Sequence, residues 1–137
     1  MDNEFNFLEA RVEWDERHAA LLKDFLDGLV FHDIRYVILK NDDGLPYENH
    51  SKDVDIVIEP GKYRDSARII RSCYKRHGVT HYKVHKFERL RCWYGMNLDT
   101  RFAIHIDLLE GFLHKGFEMF PFDVLYAHSQ KNYNGIQ

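Results

Sequence analysis

The stretch Ser51-Lys52-Asp53-Val54-Asp55-Ile56-Val57-Ile58 reads as a β-strand with two carboxylates at its entrance. Val54, Ile56, Val57 and Ile58 supply the β-branched apolar body that holds such a strand in a core. Asp53 and Asp55 are two positions apart, so on a strand both side chains leave the same face of the sheet. Two carboxylates on one face repel unless something positive sits between them, and a divalent cation is the usual answer. The plain alternative is that one aspartate caps a turn and the other faces solvent. The rest of the chain has to choose.

Upstream, the pattern predicts a helix from about Trp14 to Val30, with Ala19, Leu22, Phe25, Leu26 and Leu29 on one stripe and acidic residues in the first turn. Residues 1–13 read as an N-terminal arm that carries no chemistry. Ile34 to Leu39 is a compact apolar run and predicts a buried strand. The connection from Lys40 to Lys52 is polar and rich in turn residues; at about a dozen residues it is long for a loop inside a compact domain, and such loops are often functional. Downstream, Glu59-Pro60-Gly61 stops the Asp-bearing strand. Lys62 to about His77 predicts an amphipathic helix, with Gly78 as its C′ residue. Residues 79–96 alternate like two short strands broken near Glu88. After a turn at 97–101, Phe102 to Leu109 predicts a strand with an internal carboxylate, Asp107. An aromatic segment, 112–122, leads to a short helix from Pro121 to about Ser129.

With 137 residues the chain reads as one domain, able to bury roughly two-thirds of its unfolded surface. Asn134-Gly135-Ile136 looks like a turn leading onward, as in a piece of a longer parent chain. Apolar content is 45% and aromatic content 15%, as in a globular core. The 19 Lys+Arg against 22 Asp+Glu argue against a broad nucleic-acid surface, though not against a local basic patch. The start lacks a signal-peptide pattern, and no run approaches the roughly 18 apolar residues of a membrane span. Cys73 and Cys92 match no metal spacing and read as buried free thiols. A reducing cytoplasm is the simplest compartment.

An aspartate inside an apolar strand is costly to bury without a partner. Asp107 lies between Ile106 and Leu108, with His105 two positions earlier on the same face. If its strand lies beside the Asp53/Asp55 strand, three carboxylates converge on one end of the sheet. Three hard oxygen ligands suit Mg²⁺ or Mn²⁺ and in-line phosphoryl or nucleotidyl displacement. A solvent-facing strand end is the alternative for Asp107 alone.

The order of Tyr36 to Pro46, Lys52-Asp-Val-Asp-Ile-Val-Ile58 and Ile104-His-Ile-Asp-Leu-Leu109 resembles the nucleotidyltransferase fold of the DNA polymerase β superfamily, in particular a bacterial branch. The likeness runs from about Leu21 to Ser129. It implies an α+β fold, a small mixed β-sheet with helices packed mainly on one face. It further implies that Asp53 and Asp55 are the metal-binding pair, and that Asp107 binds metal and helps activate an acceptor hydroxyl. The activity implied is Mg-dependent transfer of a nucleoside monophosphate from an NTP to an acceptor that the sequence does not identify. Relatives carry Gly-Ser at the end of the first strand to hold the phosphates, where this chain has Lys40-Asn41. Lys40, Asn41, Ser51 and Lys52 are then the expected phosphate-side residues. The departure also motivates a second reading, a non-catalytic ligand-binding or partner-docking domain on the same scaffold.

Basic residues gather between Lys75 and Arg91. They read either as a solvated edge strand kept from aggregating by charge, or as a basic wall in which Arg89 and Arg91 hold a triphosphate or an anionic acceptor. A zinc site from His77, His81 and His85 would need a helix, and Gly78 with the alternation argues for a strand. Trp93 and Tyr94 are the aromatics on which a nucleotide would stack. A sugar-nucleotide glycosyltransferase needs more preceding βα units than the chain has, and no E-x-K follows to suggest a nuclease.

Overall fold

The computed structural model describes residues 14–39, 44–49, 53–114 and 117–129. In chain order the elements are α1 (Glu16–Phe31), β1 (Tyr36–Leu39), β2 (Val54–Ile58), α2 (Tyr63–Arg76), β3 (His81–Phe87), β4 (Leu90–Asn97), β5 (Phe102–Glu110), a small hairpin of β6 (Phe112–His114) and β7 (Phe117–Phe120), and α3 (Phe122–His128). The architecture is α+β. Five strands form one mixed sheet in the order β1-β2-β5-β4-β3. β2 and β5 run parallel in its middle, and the other neighbours are antiparallel. A parallel pair cannot be closed by a hairpin and needs a crossover; here α2, β3 and β4 lie between β2 and β5 in the chain.

Local chemistry accounts for the helices. Asp15 caps α1: its carboxylate accepts the Arg17 N–H at 2.8 Å, while His18 Nδ1 accepts the Asp15 N–H at 3.1 Å. Leu21, Leu22, Phe25, Leu26 and Leu29 of α1 are buried, as are Ala67, Ile69, Ile70, Cys73 and Tyr74 of α2. These side chains meet Ile38, Val54, Ile56, Ile58, Trp93, Ile104, Ile106 and Leu108 in the main core. Gly78 follows α2 with φ of 79°, the left-handed conformation that ends a helix without a Cβ clash. At Gly95 of β4 the helix comes so close that a Cβ would lie 2.8 Å from the Tyr74 ring.

The opposite face of the sheet is treated differently along its length. α3 covers one end, where Phe122 packs with Val37 and Val57, and Leu39, Leu109, Leu125 and Tyr126 close around them. Towards β3 and β4 no helix among the described residues covers this face. The predicted elements are present with shifted ends. Glu88 sits in the break between β3 and β4 at a φ of 50°. Pro121 is the cap of α3 and not its first helical residue. The hairpin β6–β7 falls in the aromatic stretch for which periodicity predicted no strand. Among the described residues no helix is long and apolar enough to cross a membrane.

Candidate metal centre

Strand register assembles the centre. In the parallel pair Asp55 lies directly opposite Asp107, and Asp53 precedes β2 by one residue. Each of Asp53, Asp55 and Asp107 offers an oxygen, and the three oxygens lie within 4.8 Å of one another. Leu39 is the partner of Asp55 on β1, and Cys92 that of Asp107 on β4, with His85 of β3 beyond. Leu39, Asp55, Asp107, Cys92 and His85 therefore form one row on the face opposite α1 and α2. The next row on that face holds His105, Tyr94 and Lys83.

Asp107 is the anchor of this arrangement. It is 8% exposed, and His105 Nε2–H donates to its Oδ1 at 2.6 Å. The His105 ring in turn stacks on Tyr94 with centroids 4.1 Å apart. Burial alone would raise the Asp107 carboxyl, but the hydrogen bond and charge of His105, helped by Cys92 and Asp55, outweigh it and hold the group below the ordinary carboxylate range. Asp53 moves the other way. Burial raises its carboxyl, and the nearby Asp107 carboxylate adds to that against the pull of His105. Two carboxyls displaced in opposite directions at one spot indicate crowded negative charge. Burial, reinforced by the hydrogen bond to Asp107, pushes the Cys92 thiol up to about 12. Three carboxylate oxygens at this spacing fit a hard divalent cation in their chemistry.

Arg89, Arg91 and Trp93 have their partners away from the carboxylates. Arg91 points to the helical face, because its neighbour Cys92 faces Asp107 and side chains alternate along a strand. Its guanidinium lies over the Tyr63 ring at 4.6 Å and donates to the Glu88 carbonyl at 3.0 Å. Arg89 pairs with Glu110 at 3.8 Å. On the carboxylate face β3 presents Lys83 and His85, whereas Arg91 is on the other face. Trp93 is buried under α2, where its Nε1–H donates to the Tyr63 hydroxyl at 3.1 Å, so no nucleotide stacks on it. Lys40, Asn41, Ser51 and Lys52 lie outside the described residues, as does the N-terminal arm. Cys73 and Cys92 are free and buried, as expected. Sequence reasoning missed that Cys92 stands against Asp107. Only the β4–β5 register could reveal it, since nothing in the spacing of one cysteine does.

No family model matches the chain, and no curated protein matches it. Among solved structures, it is similar to the polymerase core of TRAMP, an RNA surveillance complex, at 12% identity and a TM-score of 0.39, over 64% of this chain and 29% of that one. It is also similar to terminal uridylyl transferase 4 from Trypanosoma brucei with bound GTP, at 14% identity and a TM-score of 0.35, over 80% of this chain and 34% of that one. The chain spans about a third of the length of each.

Proposed function

We propose that this chain is a nucleotidyltransferase domain that moves a nucleoside monophosphate from an NTP to an acceptor hydroxyl. The observation that carries the reading is the convergence of Asp53, Asp55 and Asp107 from two adjacent parallel strands to within 4.8 Å. The strand order and motif order described above support it. Asp53, Asp55 and Asp107 would hold Mg²⁺ or Mn²⁺, which when bound neutralises the triphosphate and polarises the reacting phosphoryl group. The acceptor oxygen attacks the α-phosphorus, the bond to the β-phosphate oxygen breaks, and pyrophosphate leaves. Asp107, with one oxygen held by His105, would take the acceptor proton on the other. Lys40 and Asn41 follow Leu39, the partner of Asp55, and Ser51 and Lys52 precede Asp53. These four are the residues we assign to the phosphates. Buried free thiols at Cys73 and Cys92 suit a reducing compartment such as the cytoplasm.

The test is calorimetry and pyrophosphate release with each NTP in Mg²⁺ or Mn²⁺. Asp53→Asn and Asp107→Asn should each lower turnover by at least about a hundredfold and remove the metal-dependent part of NTP binding. Intact binding and turnover in either variant would sink the assignment. If wild-type protein gives no heat with any NTP and either metal, the domain is the non-catalytic binding module that its Lys40-Asn41 departure suggested.

A further inference from the structure

The described residues contain two other groups in which a thiol, an imidazole and a carboxylate meet within 4.8 Å: Asp24 with Cys73 and His77, and Cys92 with His105 and Asp107. The first is already satisfied. Oxygen Oδ2 of Asp24 accepts from Arg76 and from His77, both at 2.9 Å, and the Cys73 thiol donates to the Leu21 carbonyl at 3.2 Å. A cation there would have to displace a guanidinium. The second group differs in its partners: Asp107 accepts from His105 at 2.6 Å, and the Cys92 thiol is hydrogen-bonded to Asp107, so these bonds run within the set. The ion pair of Asp107 among the described residues is with His105, an imidazole that is itself a metal ligand when neutral. Cys92 faces Asp107 directly across the β4–β5 ladder, and His105 leaves the same face of β5 as Asp107.

We infer that Cys92, His105 and Asp107 form a second metal site, for a zinc-class ion, beside the carboxylate trio and sharing Asp107 with it. The two donor sets differ in kind. Three carboxylates select a hard ion such as Mg²⁺, whereas a sulfur, a nitrogen and one oxygen select Zn²⁺ over Mg²⁺. Tetrahedral zinc holds its donors about 3.4–3.6 Å apart. The His105–Asp107 pair at 2.6 Å therefore has to open by less than an ångström, within reach of side-chain rotation. Binding replaces the thiol proton of Cys92 and the Nε2 proton of His105, both of which leave to solvent, while the ring keeps its proton on Nδ1. Tyr94, stacked on the His105 ring, fixes the plane in which that nitrogen points, as groups around a metal-bound imidazole do. Three protein ligands leave a fourth position for water or a substrate. The site does not depend on nucleotidyl transfer, and Asp107 is the residue it has in common with the trio.

Co²⁺, a spectroscopic stand-in for Zn²⁺, tests this on the chelator-treated, thiol-reduced chain. Wild-type protein should take up one equivalent with a thiolate-to-cobalt charge-transfer band that excess Mg²⁺ does not abolish and Zn²⁺ does. The chain has two cysteines, so the band should persist in Cys73→Ala and vanish in Cys92→Ser. His105→Gln should weaken Co²⁺ binding by at least about tenfold, and Asp53→Asn should keep the band. Thermal melting of each variant without metal shows that it is folded. Absence of the band in wild type, or its survival in folded Cys92→Ser, overturns the inference. Should Mg²⁺ fail to bind the trio while the cobalt band behaves as stated, the nucleotidyltransferase reading falls and the zinc-class site stands.

Discussion

Asp53 is less favourably placed than Asp107. Its carboxyl is raised by burial, with Asp107 adding like charge, and a folded state that crowds negative charge is less stable than one that does not. In chelator at neutral pH, Asp53→Asn should therefore melt higher than wild type, by about 2–4 °C. Added Mg²⁺ should reverse the order, because only the wild type gains the stability that ligand binding confers on the folded state. A variant that melts lower in chelator would mean that the hydrogen bonds of Asp53 outweigh the repulsion between the carboxylates. The sequence made this much legible at the scale of residues: two carboxylates two apart on a strand, a third within an apolar strand, and His105 on the same face. It could not show Cys92 against Asp107 or Arg91 turned towards Tyr63. Both follow from the register between β4 and β5, and register is set by pairing across the sheet, not by the local pattern of either strand.

Periodicity located α1, α2, β2 and β5, because each buries one face against a large core and so carries a regular apolar signal. The weaker signals mark elements with less to bury. β3 is an edge strand whose residues are almost all exposed, and its alternation reflects charge more than core. β6 and β7 make a hairpin of three and four residues, too short for a period to declare itself. A tight contact between elements lies where α2 crosses β4, and no residue pattern announces it. Gly95 leaves room for the fully buried Tyr74, whose hydroxyl donates to the Trp93 carbonyl at 2.9 Å. A methyl group at this position would stand 2.8 Å from the Tyr74 ring and 3.0 Å from Val79, and backbone on one side with a packed ring on the other leaves little room to yield. Gly95→Ala should destabilise the fold by about 1–3 kcal/mol, read by denaturant or thermal unfolding. Metal affinity of the folded variant should be unchanged, because position 95 faces the helices and the carboxylates face away. Loss of metal binding at full stability would mean that the two faces of the sheet are coupled.

At the scale of the molecule, α1 is joined to the middle of the sheet through one buried histidine. His18 is 2% exposed and lies against the rings of Trp14 and Phe102. Its Nε2 is 2.7 Å from the Ala103 carbonyl at the start of β5. A carbonyl only accepts, so Nε2 carries the proton, and Nδ1 is the acceptor for the Asp15 N–H. Protonation of Nδ1 would abolish the bond from the Asp15 N–H, so the two bonds coexist only on the neutral imidazole in this tautomer. Burial lowers the His18 pKa, more than the Ala103 carbonyl and Asp15 raise it, and Arg17 adds to the lowering. A histidine with a depressed folded-state pKa leaves the unfolded chain binding more protons between the two values, so stability rises with pH in that window. The contribution of His18 is thus fully present above about pH 6.5, the ordinary histidine value, and is lost as pH falls from there to the folded-state value. Asp15 and Asp24 are held low instead, so their stabilisation is lost only in more acidic solution, below the ordinary carboxylate range. Melting curves between pH 7.5 and pH 4.5 should accordingly show wild type losing stability on the acid side of 6.5. His18→Gln should melt lower at pH 7.5, having lost one of two buried bonds, but should follow a flatter profile through the same window. A parallel profile would assign the acid sensitivity to another group and leave His18 a packing residue, whereas convergence of the two curves at pH 4.5 would identify the α1–β5 connection as the point where mild acid loosens the whole fold.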